Sequence, residues 1–144
     1  MNDMSTLLQI LSVLGLFFID ICGIMLFKQL LVQSVLCFYI ARLFHQPVLL
    51  PLIVAALCIH VEWFILYDSL SLAGLFLLPI TALVFYLKRL LVPSIAYPPL
   101  TLLLCMGLQA WLIHLLTAQN LPLNAYTILS VIANIILLLS NSLI

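Results

Sequence analysis

Three ionisable side chains stand inside apolar runs of the sequence, and their chemistry has to be explained first. Glu62 and its near neighbour His60 lie in one run, and Asp20 lies in an earlier one. An ionisable group costs about 2.5 to 3.5 kcal/mol at the middle of a membrane span, so one that occurs there is commonly functional or paired. Asp20, His60 and Glu62 are therefore candidate intramembrane ionisable residues.

Glu62 has two interpretations. In the first, it is a proton or cation site, and His60 supplies a second titratable group. In the second, its role is structural: the carboxyl group is protonated, reaches the outer lipid headgroups or pairs with Lys28. A proton relay normally needs several acids on facing helices, and Asp20 is the other acid expected at a matching depth.

Histidine and cysteine are the remaining residues that could ligate a metal or a cofactor. His60 and His114 fall on different predicted helices, as the axial ligands of a haem would, but a membrane histidine also bonds to neighbouring helices. The sequence has no G-x-S-x-G, H-E-x-x-H or magnesium-binding acid motif. We therefore expect no metal, no cofactor and no enzymatic activity. Four isolated cysteines without C-x-x-C spacing suit a packed apolar interior: Cys22, Cys37, Cys58 and Cys105.

The composition explains why these residues stand out. Apolar residues make up 67% of the 144 residues and charged residues 6%, whereas an average soluble domain is about one-quarter charged. So few polar groups cannot cover the surface of a soluble fold. The chain is therefore predicted to be an integral membrane protein, and its net charge of zero gives no reason to expect nucleic-acid binding.

Charged residues, prolines and polar turns divide the sequence into segments close to the roughly 20 residues that cross a bilayer. Asp20 to Gly23 is taken as the turn between the first two helices, and five spans are the alternative to six. The prediction is an all-α, polytopic transmembrane helical bundle that forms one integral membrane domain over residues 1–144. Its spans are predicted at about 5–18, 24–43, 48–67, 70–87, 100–116 and 123–144.

The basic residues predict the orientation, because short cytoplasmic loops carry the excess of positive charge. With the amino terminus inside, Arg42, Lys88 and Arg89 are cytoplasmic and Lys28 is outside. Both termini are then cytoplasmic. The first residues lack the basic region of a cleaved signal, so no leader is expected. The same arrangement places three acids toward the outer face: Asp20, Glu62 and Asp68.

Small and amide side chains mark the surfaces through which the helices should pack, because lipid supplies no hydrophobic drive for helix association. Gln33 and Gln109 are such amides in the second and fifth predicted helices. All of these residues either hold the chain's own helices together or form a contact surface for another membrane subunit. We take two groups, one at the start of the fourth helix and one along the last, as candidate partner-contact residues: Ser69, Ala73 and Gly74, and Ser130, Asn134 and Asn141.

The middle of the sequence contains a distinctive order of elements. A helix ending Tyr-Ile-Ala-Arg-Leu-Phe-His leads into an apolar helix with an acid near its outer end, then a short turn through Ser69 to Gly74, and then a helix ending Tyr-Leu-Lys. Over Tyr39 to Leu90 this order resembles the MreD family of rod-shape-determining membrane proteins. In that family the acid stands about one helical turn later than Glu62, and Leu-Gly is usual where Ala73 and Gly74 stand.

The resemblance implies a function and a set of partners. It implies a non-catalytic membrane scaffold subunit of the bacterial cell-shape and lateral peptidoglycan synthesis machinery, multi-pass in the inner (cytoplasmic) membrane. The implied partners are an MreC-like bitopic subunit and a peptidoglycan polymerase and transpeptidase pair, reached by helix–helix contact within the lipid bilayer.

Two other classes of membrane protein have a similar size. The substrate-binding subunits of energy-coupling-factor transporters also have six helices, and such a subunit would bind a vitamin or a metal. These subunits typically dock through small-residue repeats in the first helix, and this sequence has no alanine before Ala41. An accessory subunit of a respiratory or secretory complex is the third alternative.

Overall fold

The computed structural model describes residues 2–28, 32–45, 47–68, 71–90, 96–117 and 125–142. Within these ranges the chain forms six α-helices and no strand, which confirms the predicted all-α bundle. The helices are α1 (Asn2–Phe27), α2 (Ser34–His45), α3 (Leu49–Tyr67), α4 (Ser71–Leu90), α5 (Tyr97–Thr117) and α6 (Ala125–Ser142).

Four of the six helices, α1, α3, α4 and α5, are long and apolar enough to cross a membrane. The 19 residues of α3 span about 28 Å at the helical rise of 1.5 Å per residue, which matches a bilayer core of about 30 Å. The 12 residues of α2 span only about 18 Å. The described residues just before it, Val32 and Gln33, are not helical.

The predicted turn at Asp20 to Gly23 is wrong, because α1 continues without interruption to Phe27. It ends at Lys28, whose φ of 51° is left-handed and whose N–H still donates to the carbonyl oxygen of Ile24 at 2.8 Å. Gly23 lies inside the helix, where its cost of about 1 kcal/mol relative to alanine is tolerated. The second predicted helix, 24–43, is accordingly replaced by the shorter α2.

The short helix α2 lies at the centre of the bundle, and it packs against α1, α3, α4, α5 and α6. Its residues from Ser34 to Ala41 and Leu43 are all buried. A helix that is buried on every side lies in the core of the fold. By contrast, α1 packs only against α2 and α3 among the described helices.

Aromatic and hydroxyl side chains join the helices on one side of α2. The Trp63 ring on α3 packs against Phe76 on α4 with centroids 4.8 Å apart. The Tyr39 hydroxyl on α2 donates to the Thr81 hydroxyl on α4 at 2.8 Å, and Thr81 in turn donates to the carbonyl oxygen of Leu77. These contacts fix α3 and α4 beside the central helix.

The outward-facing surface of the bundle is covered by large apolar side chains. On α1 alone, Leu8, Phe18 and Leu26 are each more than half exposed. Monomeric soluble proteins rarely expose contiguous apolar areas of this extent. The surface is therefore suited to lipid, and the protein is an integral membrane protein.

A buried polar cluster at the start of α2

Six buried polar side chains, from five helices and from the residue just before α2, meet where α2 begins. We refer to them as the polar cluster. They come from α1, the residue before α2, α2 itself, α3, α5 and α6: Asp20, Gln33, Ser34, Glu62, Gln109 and Asn134. A polar group in a low-dielectric interior is costly unless it is hydrogen-bonded, so the bonds of this cluster decide what it does.

Asp20 on α1 caps the amino-terminal end of α2. Its Oδ1 accepts the backbone N–H of Ser34 at 3.1 Å, and its Oδ2 accepts that of Val35 at 3.0 Å. The first N–H groups of a helix have no partner within the helix, and a negative charge there also interacts favourably with the helix dipole. A carboxylate from a neighbouring helix thus takes the place that an N-cap side chain usually fills.

Gln33 joins three helices just before α2 begins. Its side chain and that of Gln109 on α5 form a reciprocal amide pair, with N–O distances of 2.9 and 3.0 Å. Its backbone N–H donates to Oδ1 of Asn134 on α6 at 2.7 Å. Backbone that is not helical must find partners inside the protein at membrane depth, and Asn134 supplies one here.

Asn134 completes its bonds within the chain. Its Nδ2 donates to the carbonyl oxygen of Ser130 at 2.8 Å, one turn earlier on α6. Its own carbonyl oxygen accepts the Cys37 thiol at 3.3 Å. Asn134 therefore ties α6 to α2 on both sides of the start of α2.

Glu62 on α3 is the deepest acid of the cluster and is 1% exposed. Its carboxyl group faces that of Asp20, near enough for the two side chains to interact directly. Its Oε1 atom has no hydrogen-bond partner among the described residues. The two acids that the sequence placed at a similar depth are thus brought together. The predicted alternative of a pair with Lys28 is not observed, because Lys28 is exposed at the end of α1.

His60 does not join this carboxyl pair. Its Nδ1 lies 2.7 Å from the carbonyl oxygen of Ala56, which places the ring proton on Nδ1. Its Nε2 faces Gly74 on α4, where a β-carbon would lie 3.7 Å away. In the described part of the chain no three histidine, cysteine or acidic side chains are grouped as metal ligands.

The candidate partner-contact residues fall into three sets. Ala73 and Asn134 are 0% exposed, so their side chains face helices of the same chain instead of a partner. Gly74 and Ser130 are partly exposed. Ser69 lies outside the described residues, and so does the side chain of Asn141, whose backbone belongs to α6.

Sequence reasoning missed two features of this region. It identified Gln33 and Gln109 as polar residues that hold helices together, but 76 residues separate them and nothing local indicates that they pair. It also missed Ser34, whose importance lies in its backbone N–H and not in its side chain. The signal that was available is the run of amides and acids within otherwise apolar helices.

The fold and the cluster together define a polytopic α-helical membrane protein with an internally bonded polar core. No protein-family model, curated protein or solved structure matches the chain.

Proposed function

We propose that this protein is a non-catalytic scaffold subunit of the bacterial machinery for cell shape and lateral peptidoglycan synthesis. It acts in the inner (cytoplasmic) membrane by contact between its helices and those of partner membrane proteins. The sequence basis is the resemblance of Tyr39 to Leu90 to the MreD family. This segment corresponds to most of α2, all of α3 and α4, and the connections between them.

One observation carries the proposal: the polar groups of the core are used to hold the protein's own helices together. Asp20 bonds to α2, Gln33 bonds to α5 and α6, and Asn134 bonds to α2. Such bonds define the relative positions of four helices, α1, α2, α5 and α6. A scaffold needs a fixed arrangement of this kind, because it shifts a partner between states only by contacting one state better than the other.

The partners are membrane proteins of two kinds, an MreC-like bitopic subunit and a peptidoglycan polymerase and transpeptidase pair. Of the six candidate contact residues, Gly74 on α4 and Ser130 on α6 have described side-chain positions that remain partly exposed. Contact with a partner helix is expected at these two positions, where small residues allow close approach.

Affinity purification tests the proposal. The tagged full-length protein is isolated from bacterial membranes in a mild detergent, and the co-purifying proteins are identified by mass spectrometry. Recovery of the bitopic subunit with the polymerase and transpeptidase pair is the expected result. Ser130→Leu should reduce this recovery, whereas Ser140→Leu, at an exposed position ten residues later on the same helix, should not.

The same purification separates the alternative classes. A vitamin or metal recovered with the chain, together with an ATPase pair, would replace the scaffold with a substrate-binding subunit of an energy-coupling-factor-type transporter. Subunits of a respiratory or secretory complex would indicate an accessory role in that complex.

A further inference from the structure

The amino-terminal end of α2 brings two carboxyl groups together in a place that is closed to solvent. Asp20 is 2% exposed, and both of its oxygens already accept N–H bonds from α2. Glu62 points into the same place from α3, and its Oε1 is a buried acceptor without a partner among the described residues. Asp20 thus has an evident structural role, and Glu62 does not yet have one.

We propose that Asp20 and Glu62 form a binding site for one proton, which is carried by Glu62 and shared with Asp20 in a hydrogen bond. A carboxylate can only accept hydrogen bonds, so a bond between two carboxyl groups requires a proton on one of them. Two N–H donors stabilise the charged form of Asp20. The proton therefore resides on Glu62. This site goes beyond the scaffold function and does not depend on it.

The surroundings fit a proton better than a metal ion. The amino-terminal end of a helix carries a partial positive charge, which repels a cation that sits beside it. Hard metal ions also need about six or more oxygen ligands. The nearby side-chain oxygens are engaged elsewhere, since Oε1 of Gln109 and Oδ1 of Asn134 both accept hydrogen bonds from Gln33. A proton needs only the two carboxyl oxygens that are present.

The proton links three helices through two hydrogen-bonded steps. Glu62 on α3 donates to Asp20 on α1, and Asp20 accepts from the N–H groups of α2. Removal of the proton leaves two adjacent carboxylates in a low-dielectric interior, where like charges repel strongly. Proton binding should therefore stabilise the contact between α1 and α3, and that contact should weaken under alkaline conditions.

Other titratable groups near the pair are thiols and an imidazole. The Cys37 thiol on α2 is close enough to Asp20 and to Cys105 on α5 for an electrostatic interaction. The Cys58 thiol has the same relationship to Glu62. From α6 the cluster receives the amide of Asn134. On α4 the described side chains buried near Trp63 are apolar, including Phe76. His60 is turned toward Gly74, so its ring is not the proton acceptor for Glu62.

Infrared difference spectroscopy of the full-length protein in lipid nanodiscs tests the site. The wild-type protein should show the carbonyl stretch of a protonated carboxylic acid at neutral pH, shifted in heavy water. This band should disappear on alkaline titration. Glu62→Gln should lack the band at neutral pH but remain folded, because the amide can still donate to Asp20. Asp68→Asn is the matched control, because Asp68 is exposed and asparagine accepts its left-handed φ of 52°.

A comparison of titrations with and without sodium distinguishes a proton site from a site for metal cations. The wild-type titration is repeated in sodium chloride and in choline chloride, and the band should respond identically in both. A wild-type protein with no such band at neutral pH would overturn the proposal, and so would a band that persists in Glu62→Gln. Displacement of the band by sodium at neutral pH would also overturn it. The wild-type titrations remain decisive even if a variant fails to fold.

Discussion

Lys88, near the end of α4, donates a hydrogen bond of 2.9 Å from its Nζ to the carbonyl oxygen of Leu43 in the last turn of α2. At the opposite end of α2, Asp20 accepts the N–H groups of Ser34 and Val35. A negative side chain thus stands at the amino-terminal end of the central helix and a positive one at its carboxyl-terminal end. Both charges have the sign that the helix dipole favours. α2 is held at its two ends by residues from other helices.

Removal of the Asp20 carboxylate should destabilise the fold. Asp20→Ala leaves two buried N–H groups without an acceptor, and we expect a loss of about 2 kcal/mol or more in the free energy of unfolding. Unfolding in mixed micelles with increasing sodium dodecyl sulfate, followed by circular dichroism, measures this. Asp3→Ala, at an exposed position in the first turn of the same helix, should change the value by less than about 0.5 kcal/mol. Equal effects of the two substitutions would refute the capping role.

The opposite end of α2 allows a comparison of two neighbouring basic residues. Lys88→Met removes the donor to Leu43 and should cost about 0.5 to 1 kcal/mol. Arg89→Met removes the same charge from the same end of the bundle at an exposed position, and it should cost less. The same unfolding assay applies. If the two variants lose the same stability, the effect comes from overall charge and not from the bond to Leu43.

The reciprocal amide pair between Gln33 and Gln109 should show measurable coupling. Either single change to leucine leaves one buried amide without its partner, whereas the double change removes both. A double-mutant cycle should therefore give a favourable interaction of about 0.6 kcal/mol, the average for interhelical hydrogen bonds in a membrane, and at most about 1.7 kcal/mol. Strict additivity of the two single changes would show that the pair contributes nothing to stability.

Ala73 and Gly74 should respond differently to enlargement although they are adjacent. Ala73 is fully buried, so Ala73→Leu should overpack the contact of α4 with its neighbours and cost about 1 to 3 kcal/mol. At Gly74 a new β-carbon meets only Nε2 of His60 at 3.7 Å, an ordinary contact, so Gly74→Ala should not destabilise the protein and should gain up to about 1 kcal/mol from the higher helix propensity of alanine. Thermal stability in detergent distinguishes the two. If the Ala73→Leu protein is stable but no longer binds its partners, Ala73 belongs to the partner-contact surface.

The orientation can be tested with single cysteines in a background that lacks the four native ones. Cysteines that replace Asp3 and Lys88 should react with an impermeant maleimide from one side of the membrane. A cysteine at Asp68, the C-cap of α3, should react from the other side. The excess of basic residues predicts that the Lys88 side is cytoplasmic. Labelling of Asp68 and Lys88 from the same side would contradict the arrangement of α3 and α4.

The sequence predicted the class of fold well, because a chain with so high an apolar content can only fold with lipid around it. It failed at the boundary between α1 and α2. Asp20 and Gly23 are turn-forming residues by local chemistry, but here Asp20 serves a helix that begins 14 residues later. The length rule for spans also assumes that every helix is long enough to cross the bilayer, and α2 has only 12 residues.

The candidate site was predicted residue by residue but not as an arrangement. Asp20 and Glu62 were recognisable because each is expensive in an apolar run. Their contact results from the packing of α1 on α3, which no local pattern encodes. Asn134 was recognised as polar, but its role as the acceptor for the backbone N–H of Gln33 was not. The two residues are 101 positions apart in the sequence, so only the packing of the fold brings them together.

The central position of a helix too short to span has a consequence for biosynthesis. The ribosome delivers α2 second, after Asp20, which caps its amino-terminal end. Other groups that bond to α2 and to Gln33 just before it lie on segments made later, including Lys88, Gln109 and Asn134. Until those segments emerge, the backbone N–H of Gln33 and the carbonyl oxygen of Leu43 lack the partners they have in the folded protein. The packing of the central helix is therefore completed only when the last helices have been made.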